Sequence, residues 1–236
     1  MSGNKFANST LGDAGIDLGL RSHMLKTYNI IALGLAVSAA SAFAVAETPL
    51  RGLFFSADNG MTILGLVGMF APLALLLLAS FGKIGRSLAS IRAVYWGFVV
   101  LQGIGLSLLV SQNAGGSVGK ALALAGFTFA ATSLYGYTTR KNLSGMGSFM
   151  VIGLIGVIVA SIVNIFLGSP AVDFAISVIG IVIFAGLTAW DTQNLKESYA
   201  ESHGEEALAA SRYWSALSLY LNIINLVNFF RSLMSN

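Results

Sequence analysis

Seven apolar stretches, at residues 28–46, 61–81, 93–110, 122–137, 149–167, 171–190 and 213–233, dominate the sequence. Most approach the roughly 20 residues that an α-helix needs to cross a bilayer core of about 30 Å. Charged residues make up only 10% of the chain and hydrophobic ones 56%, whereas a typical soluble domain carries about 25% charge. The chain has too little charge to cover a soluble surface. It is expected to be an all-α integral membrane protein, with seven transmembrane helices over 24–236 behind a polar, Gly-rich tail over 1–23.

Details within the spans support helices that pack closely. Gly34, Ser38, Ala42 and Ala46 fall four apart in the first span, a ridge of small residues that lets another helix approach. The fourth span is the least apolar because Thr128, Thr132 and Ser133 interrupt it. The sixth has a start signal: Ser169 as N-cap, Pro170 at the first helical position, and Asp173 near the positive end of the helix dipole. Loops are short apart from 191–212. Ala44-Val45-Ala46 before Glu47 is similar to a signal-peptidase site. The segment before it is as long as a full span and is read as one.

Several classes of function are excluded or disfavoured. The chain has no cysteine, which rules out disulfides, thiolate metal sites and cysteine nucleophiles. A net charge of +3 is too small to point to nucleic acid. No phosphate loop or dinucleotide fingerprint is present, so no cofactor is expected. "SGMGSF" at 144–149 offers a serine, but no histidine within a span could serve as its base, so an enzyme is not expected. His23 and His203 lie outside the spans and lack metal-ligand spacing. Glu197, Glu201, Glu205 and Glu206, with His203, read as a solvated helix face.

Two features carry chemistry. Asp191 follows directly on the sixth span, in "GLTAWDTQNLKESYAE". It is either a boundary residue in water or a carboxylate held inside the bundle. Leu195 and Tyr199 continue the apolar spacing, which suggests that the helix runs on past it. In the last span, Ser215, Ser218, Asn222 and Asn225 fall within about 80° of one another, and Asn228 about 60° further round. Such a stripe is unfavourable against lipid and should face protein or a water-filled path. It serves either as interhelical hydrogen-bonding glue or as path lining.

"DTQNLK" after an apolar span, "ALSLYLNIINLVNFFRSL" at the C-terminus and "YWGFVVLQGIGLSLL" in the third span resemble the Bax inhibitor-1 (transmembrane Bax-inhibitor-motif) family. The resemblance covers all seven spans in order. It implies a last helix at the centre with six wrapped around it, and a pH-dependent cation leak, chiefly of calcium. It also implies a carboxylate at Asp191, paired in many members with a second carboxylate in the last helix and engaged by a basic residue near the end of the second span. Here Asn222 stands in place of that second carboxylate, in "LYLNIIN", and Lys83 and Arg86 are the nearest basic candidates. Two adjacent carboxylates resist double ionisation, whereas an aspartate beside an asparagine lacks that repulsion. A hard cation prefers several oxygen ligands, so any calcium contact at Asp191 should be weakened.

The expected function is a pH-sensitive calcium leak gated at Asp191, with Ser218, Asn222 and Asn225 along the path. The alternative is a regulatory protein that binds a membrane-integrated ATP-dependent protease, with the tail as its handle. The partners expected are the lipid bilayer and calcium ions, and the short loops lean towards a bacterial inner membrane.

Seven spans with the N-terminus inside place Lys5, Arg21, Lys26, Lys83, Arg86, Arg92, Arg140, Lys141, Lys196 and Arg212 on the cytoplasmic side. Arg51, Lys120 and Arg231 fall outside, a bias of ten to three. The N-terminus is thus expected in the cytoplasm and the C-terminus outside. A reporter fused after Asn236 should be active only when it is of a type that works externally, and activity of a cytoplasmic reporter there would overturn the topology.

Overall fold

The computed structural model describes residues 4–56, 62–81, 87–112, 117–200 and 203–235. These form α1 (Asn4–Ala46), α2 (Arg51–Phe54), α3 (Ile63–Phe81), α4 (Leu88–Gln112), α5 (Ser117–Thr138), α6 (Ser144–Leu167), α7 (Pro170–Glu197) and α8 (Glu205–Ser235). No strand element occurs among the described residues. Six helical segments there are long and apolar enough to cross a membrane: Leu18–Ala46, Leu88–Ser107, Val118–Thr138, Ser144–Leu167, Pro170–Glu197 and Glu205–Ser235. The expected second span is covered by α3, which is 19 residues long with Pro72 inside it. Proline is tolerated in such helices where neighbouring groups satisfy the freed carbonyl.

Three helices are longer than their apolar runs. The stretch 4–23, read as a tail, is helical and continuous with the first span. At its end His23 and Met24 are buried, so α1 is already packed before its apolar run begins. The seventh and eighth helices likewise outrun the expected 171–190 and 213–233. Apolarity records where lipid begins and ends, but a helix stops only where caps or breakers stop it. Between α6 and α7 such signals are explicit. Gly168 takes a left-handed φ of 59° and closes α6. The Ser169 hydroxyl then accepts from the Val172 amide at 3.4 Å, opening α7 with Pro170 in its first turn.

α8 packs against α1, α4, α5 and α7; α6 packs on α7, and α3 on α4 and α2. The small-residue ridge of α1 lies against α4. A Cβ at Gly103 would collide with the Ser38 carbonyl oxygen, and one at Gly34 with the Tyr95 hydroxyl. Ser38 donates to the Val99 carbonyl and meets the Tyr220 hydroxyl, each at 2.6 Å, tying α1, α4 and α8 together. Tyr220 is itself fully buried between the edges of Tyr95 and Phe98. At the periphery α6 turns Ile152, Ile165 and Phe166 outward, as a face against hydrocarbon requires.

One end of the bundle is basic. Arg92 stacks over the Tyr213 ring, and Lys196 donates to the Tyr137 carbonyl at 2.9 Å. Glu205 pairs with both Lys26 and Arg212 at this end. These cations come from α1, α4, α7 and α8, and all belong to the set expected in the cytoplasm.

The backbones of α5 and α7 approach closely at Gly136, where a Cβ would collide with the Ala189 carbonyl. Gly136→Ala should therefore lose about 1–3 kcal/mol through overpacking, despite the better helix propensity of alanine. Gly156 on α6 has nothing within 4 Å of a would-be Cβ, so Gly156→Ala should leave the melting temperature in detergent unchanged or slightly higher. Equal melting behaviour of the two variants would show that the approach at Gly136 is not tight.

Candidate functional site

Asp191 is held inside the bundle. Because α7 continues to Glu197, the helix carries on about 9 Å past the carboxylate. α8 starts at Glu205 and puts Asn222 about 25 Å from its first residue. These two extensions bring Asp191 and Asn222 to one level. The Oδ2 atom of Asp191 accepts from Ser218 Oγ at 2.6 Å and from Asn222 Nδ2 at 2.7 Å. Ser218 and Asn222 are one turn apart on α8, so the two donors grip one oxygen from a single helix face. Asn222 is buried, whereas Asp191 keeps partial exposure. Its Oδ1 accepts no hydrogen bond from the described residues, and no cation there pairs with it.

Other residues singled out in the sequence lie elsewhere. Asn225 donates to the Leu221 carbonyl of its own helix at 2.8 Å, which is bonding within α8. Lys83, Arg86 and Glu201 lie outside the described residues. Glu205 is exposed, as expected of a solvated helix face, and is the common partner of Lys26 and Arg212. His23 is buried against the Tyr199 ring at 5.4 Å, not in water outside the spans. Among the described residues no three His, Cys, Asp or Glu side chains gather as a metal site. Asp191 therefore offers an ion one carboxylate, not a preformed cage.

The two residues after Asp191 have equally definite partners. Successive side chains on a helix point about 100° apart, so Asp191, Thr192 and Gln193 address three different neighbours. Thr192, fully buried, meets Ser133 of α5 at 3.0 Å, and Ser133 in turn meets the Tyr28 hydroxyl of α1. Gln193 accepts from the Leu143 amide at 2.8 Å and donates to the Lys141 carbonyl at 2.9 Å, fixing the turn between α5 and α6. One turn of α7 thus bonds α8, α5 and the α5–α6 connection. The sequence offered a signal for Thr192 and Gln193, two polar residues directly after a long apolar run, but nothing in it named their partners.

A bundle of membrane-crossing helices with a carboxylate and an amide buried between its last two members defines a polytopic membrane protein with a polar site in its interior. Residues 20–236 match the family described as inhibitor of apoptosis-promoting Bax1, and the chain belongs to that Bax inhibitor-1 family. Among its relatives, an uncharacterized protein of Caulobacter vibrioides is 46% identical, over 93% of this chain and 90% of its own. An uncharacterized protein of Rickettsia prowazekii is 38% identical over 98% of this chain and 97% of its own. The inner membrane protein YbhL of Escherichia coli is 32% identical over 88% of each chain.

Gln193→Ala would leave the buried Leu143 amide and the Lys141 carbonyl without partners. We expect it to cost about 1–3 kcal/mol, seen as a lower melting temperature in detergent. Gln193→Glu keeps the acceptor for Leu143 and should lose less. If Gln193→Ala melts like the parent, the glutamine does not hold the turn.

Proposed function

We propose that the protein is a pH-sensitive, passive path for cations, calcium foremost, across the cytoplasmic membrane, with the charge on Asp191 as its gate. The observation that carries this reading is the half-held carboxylate. One oxygen is gripped by Ser218 and Asn222, and the other takes no bond from the described residues. Intramembrane carboxylates are rare and costly, and typically serve an ion or proton pathway. Membership of the Bax inhibitor-1 family points the same way. The relative YbhL is an inner membrane protein, which supports a bacterial inner membrane as the site of action.

On this reading α3, about 28 Å long, is the seventh span, and α8 is the axis around which the others are arranged. The basic end of the bundle faces the cytoplasm, and the C-terminus lies outside. Calcium is cargo here, drawn to one negative charge and bound too weakly to stay. Ser218 and Asn222 orient the carboxylate, and Asn225 lies one turn further along the same helix.

The test is calcium flux into proteoliposomes from about pH 5 to 8, the range within reach of a strongly coupled carboxylate pair. Asp191→Asn should change the flux and flatten its pH response. Asn222→Asp creates two carboxylates that cannot both ionise easily, and should make closure more steeply pH-dependent. If the parent conducts and both variants track it throughout, Asp191 is no gate. A parent protein that conducts nothing would sink the channel and favour a regulatory binding protein.

A further inference from the structure

Between α1 and α5 the bundle is open on its lipid side. The two helices run antiparallel with a gap between them, and Tyr28 reaches across it, its hydroxyl on Ser133 and its ring edge on Phe129. On one side of Tyr28 lies a cavity of about 510 Å³ that reaches Arg21 and Tyr137. On the other lies one of about 600 Å³, floored by Ile223, Ile224 and Val227 of α8. Tyr28 and Phe129 line both, so the two form one groove. Each volume falls within the roughly 300–1,000 Å³ of sites that enclose small ligands. The lining is almost wholly apolar, and Leu25 and Leu122 stand exposed on its lips.

Charge is present at one end only. Arg21 lines the groove's mouth, is exposed, and has no ion-pair partner among the described residues. Its neighbour Lys26 is engaged by Glu205. Half the hydrocarbon core is about 15 Å deep, which on α1 is about ten residues from Arg21, ending near Ile31. Over that depth α1 presents Met24, Leu25, Tyr28 and Ile31 to the groove. The groove continues past that depth to Ala42 and Phe43, so an acyl chain entering beside the exposed Arg21 guanidinium finds apolar lining along its whole length.

We propose that this groove holds one acyl chain of an anionic membrane phospholipid, with Arg21 bonded to its phosphate. A guanidinium and a phosphate form a charge-assisted, bidentate pair, and anionic lipid is attracted to basic residues at the membrane surface. The bound chain fills the space between α1 and α5 and completes the wall that covers α8. It also covers Tyr28, and so shields the Tyr28–Ser133–Thr192 bonds that end beside Asp191.

The full-length protein in mixed micelles would be examined by native mass spectrometry, with phosphatidylglycerol and phosphatidylcholine of identical chains supplied in turn. The parent should retain one phosphatidylglycerol in clear preference to phosphatidylcholine and melt at a higher temperature with it. Arg21→Gln should reduce that retention at least roughly tenfold, as expected for loss of a charge-assisted hydrogen bond. Gly126 lines the groove and has nothing within 4 Å of a would-be Cβ. Gly126→Leu should therefore narrow the inner part of the groove, level with Leu35, and lower retention of both lipids while Arg21 remains in place. Equal retention of the two lipids by the parent, or unchanged retention in Arg21→Gln, overturns the proposal. Inorganic phosphate that reproduces the stabilisation without lipid also overturns it, because Arg21 would then be a free-anion site. Arg21 is exposed, so its variant tests the idea even if Gly126→Leu fails to fold.

Discussion

A polar side-chain atom inside a bilayer can bond only to protein or to water that the protein admits, and this bundle is arranged around that constraint. Several of its buried hydroxyls and amides connect helices. Ser38 joins α1 to α4 and α8, and Ser133 joins α5 to α1 and α7. Ser218 and Asn222 join α8 to α7. Hydrophobic burial contributes little between helices already surrounded by hydrocarbon, so contact depends on close packing and on these bonds. The small residues make the bonds possible. Gly103 allows the backbone of α4 to approach Ser38, and Gly136 allows α5 to approach α7 one turn from Thr192.

Position along the chain is converted into function most directly at Asp191-Thr192-Gln193. Thr192 and Gln193 are locked by α5 and by the α5–α6 turn, so the backbone of α7 has little freedom to rotate at this level. The direction of the Asp191 side chain is then fixed before Ser218 and Asn222 bond to it. A carboxylate held in this way is preorganised, and its free oxygen points where the helix phase puts it. A lone aspartate on a mobile helix end would have neither property.

Much of this was legible in the sequence, and what was missed has a physical cause. Apolar length located the six membrane-capable helices among the described residues. Continued spacing through Leu195 placed Asp191 within α7, and Leu195 is fully buried. The stripe of Ser218 and Asn222 faces protein, as amides in a span should. Hydropathy failed at helix ends, because α1 and α8 continue as helix beyond their apolar runs, where polar residues are stable in the same conformation. It also failed for long-range partners. Tyr28 and Ser133 are separated by 105 residues, and only the packing of α1 near α5 determines that they meet. His23 shows the reverse error: a polar residue before an apolar run is here a buried ring against Tyr199.

On the proposed reading, an asparagine at 222 in place of the second carboxylate that the family resemblance implies changes how a cation can be handled. Conduction requires binding strong enough to draw an ion in and weak enough to release it. Two carboxylates would compete between holding a divalent ion and sharing a proton. With one carboxylate, an amide and a hydroxyl, the attraction is that of a single charge, and the amide nitrogen of Asn222 is committed to Asp191. The side-chain oxygens of this cluster are those of Asp191, the Ser218 hydroxyl and the Asn222 carbonyl, fewer than the 6–8 that calcium takes when it stays bound. On the proposed reading this set is suited to passage, and protonation of its single charge would remove the attraction altogether. Such a path would be opened and closed by the state of one residue, on a helix turn held in place by Thr192 and Gln193.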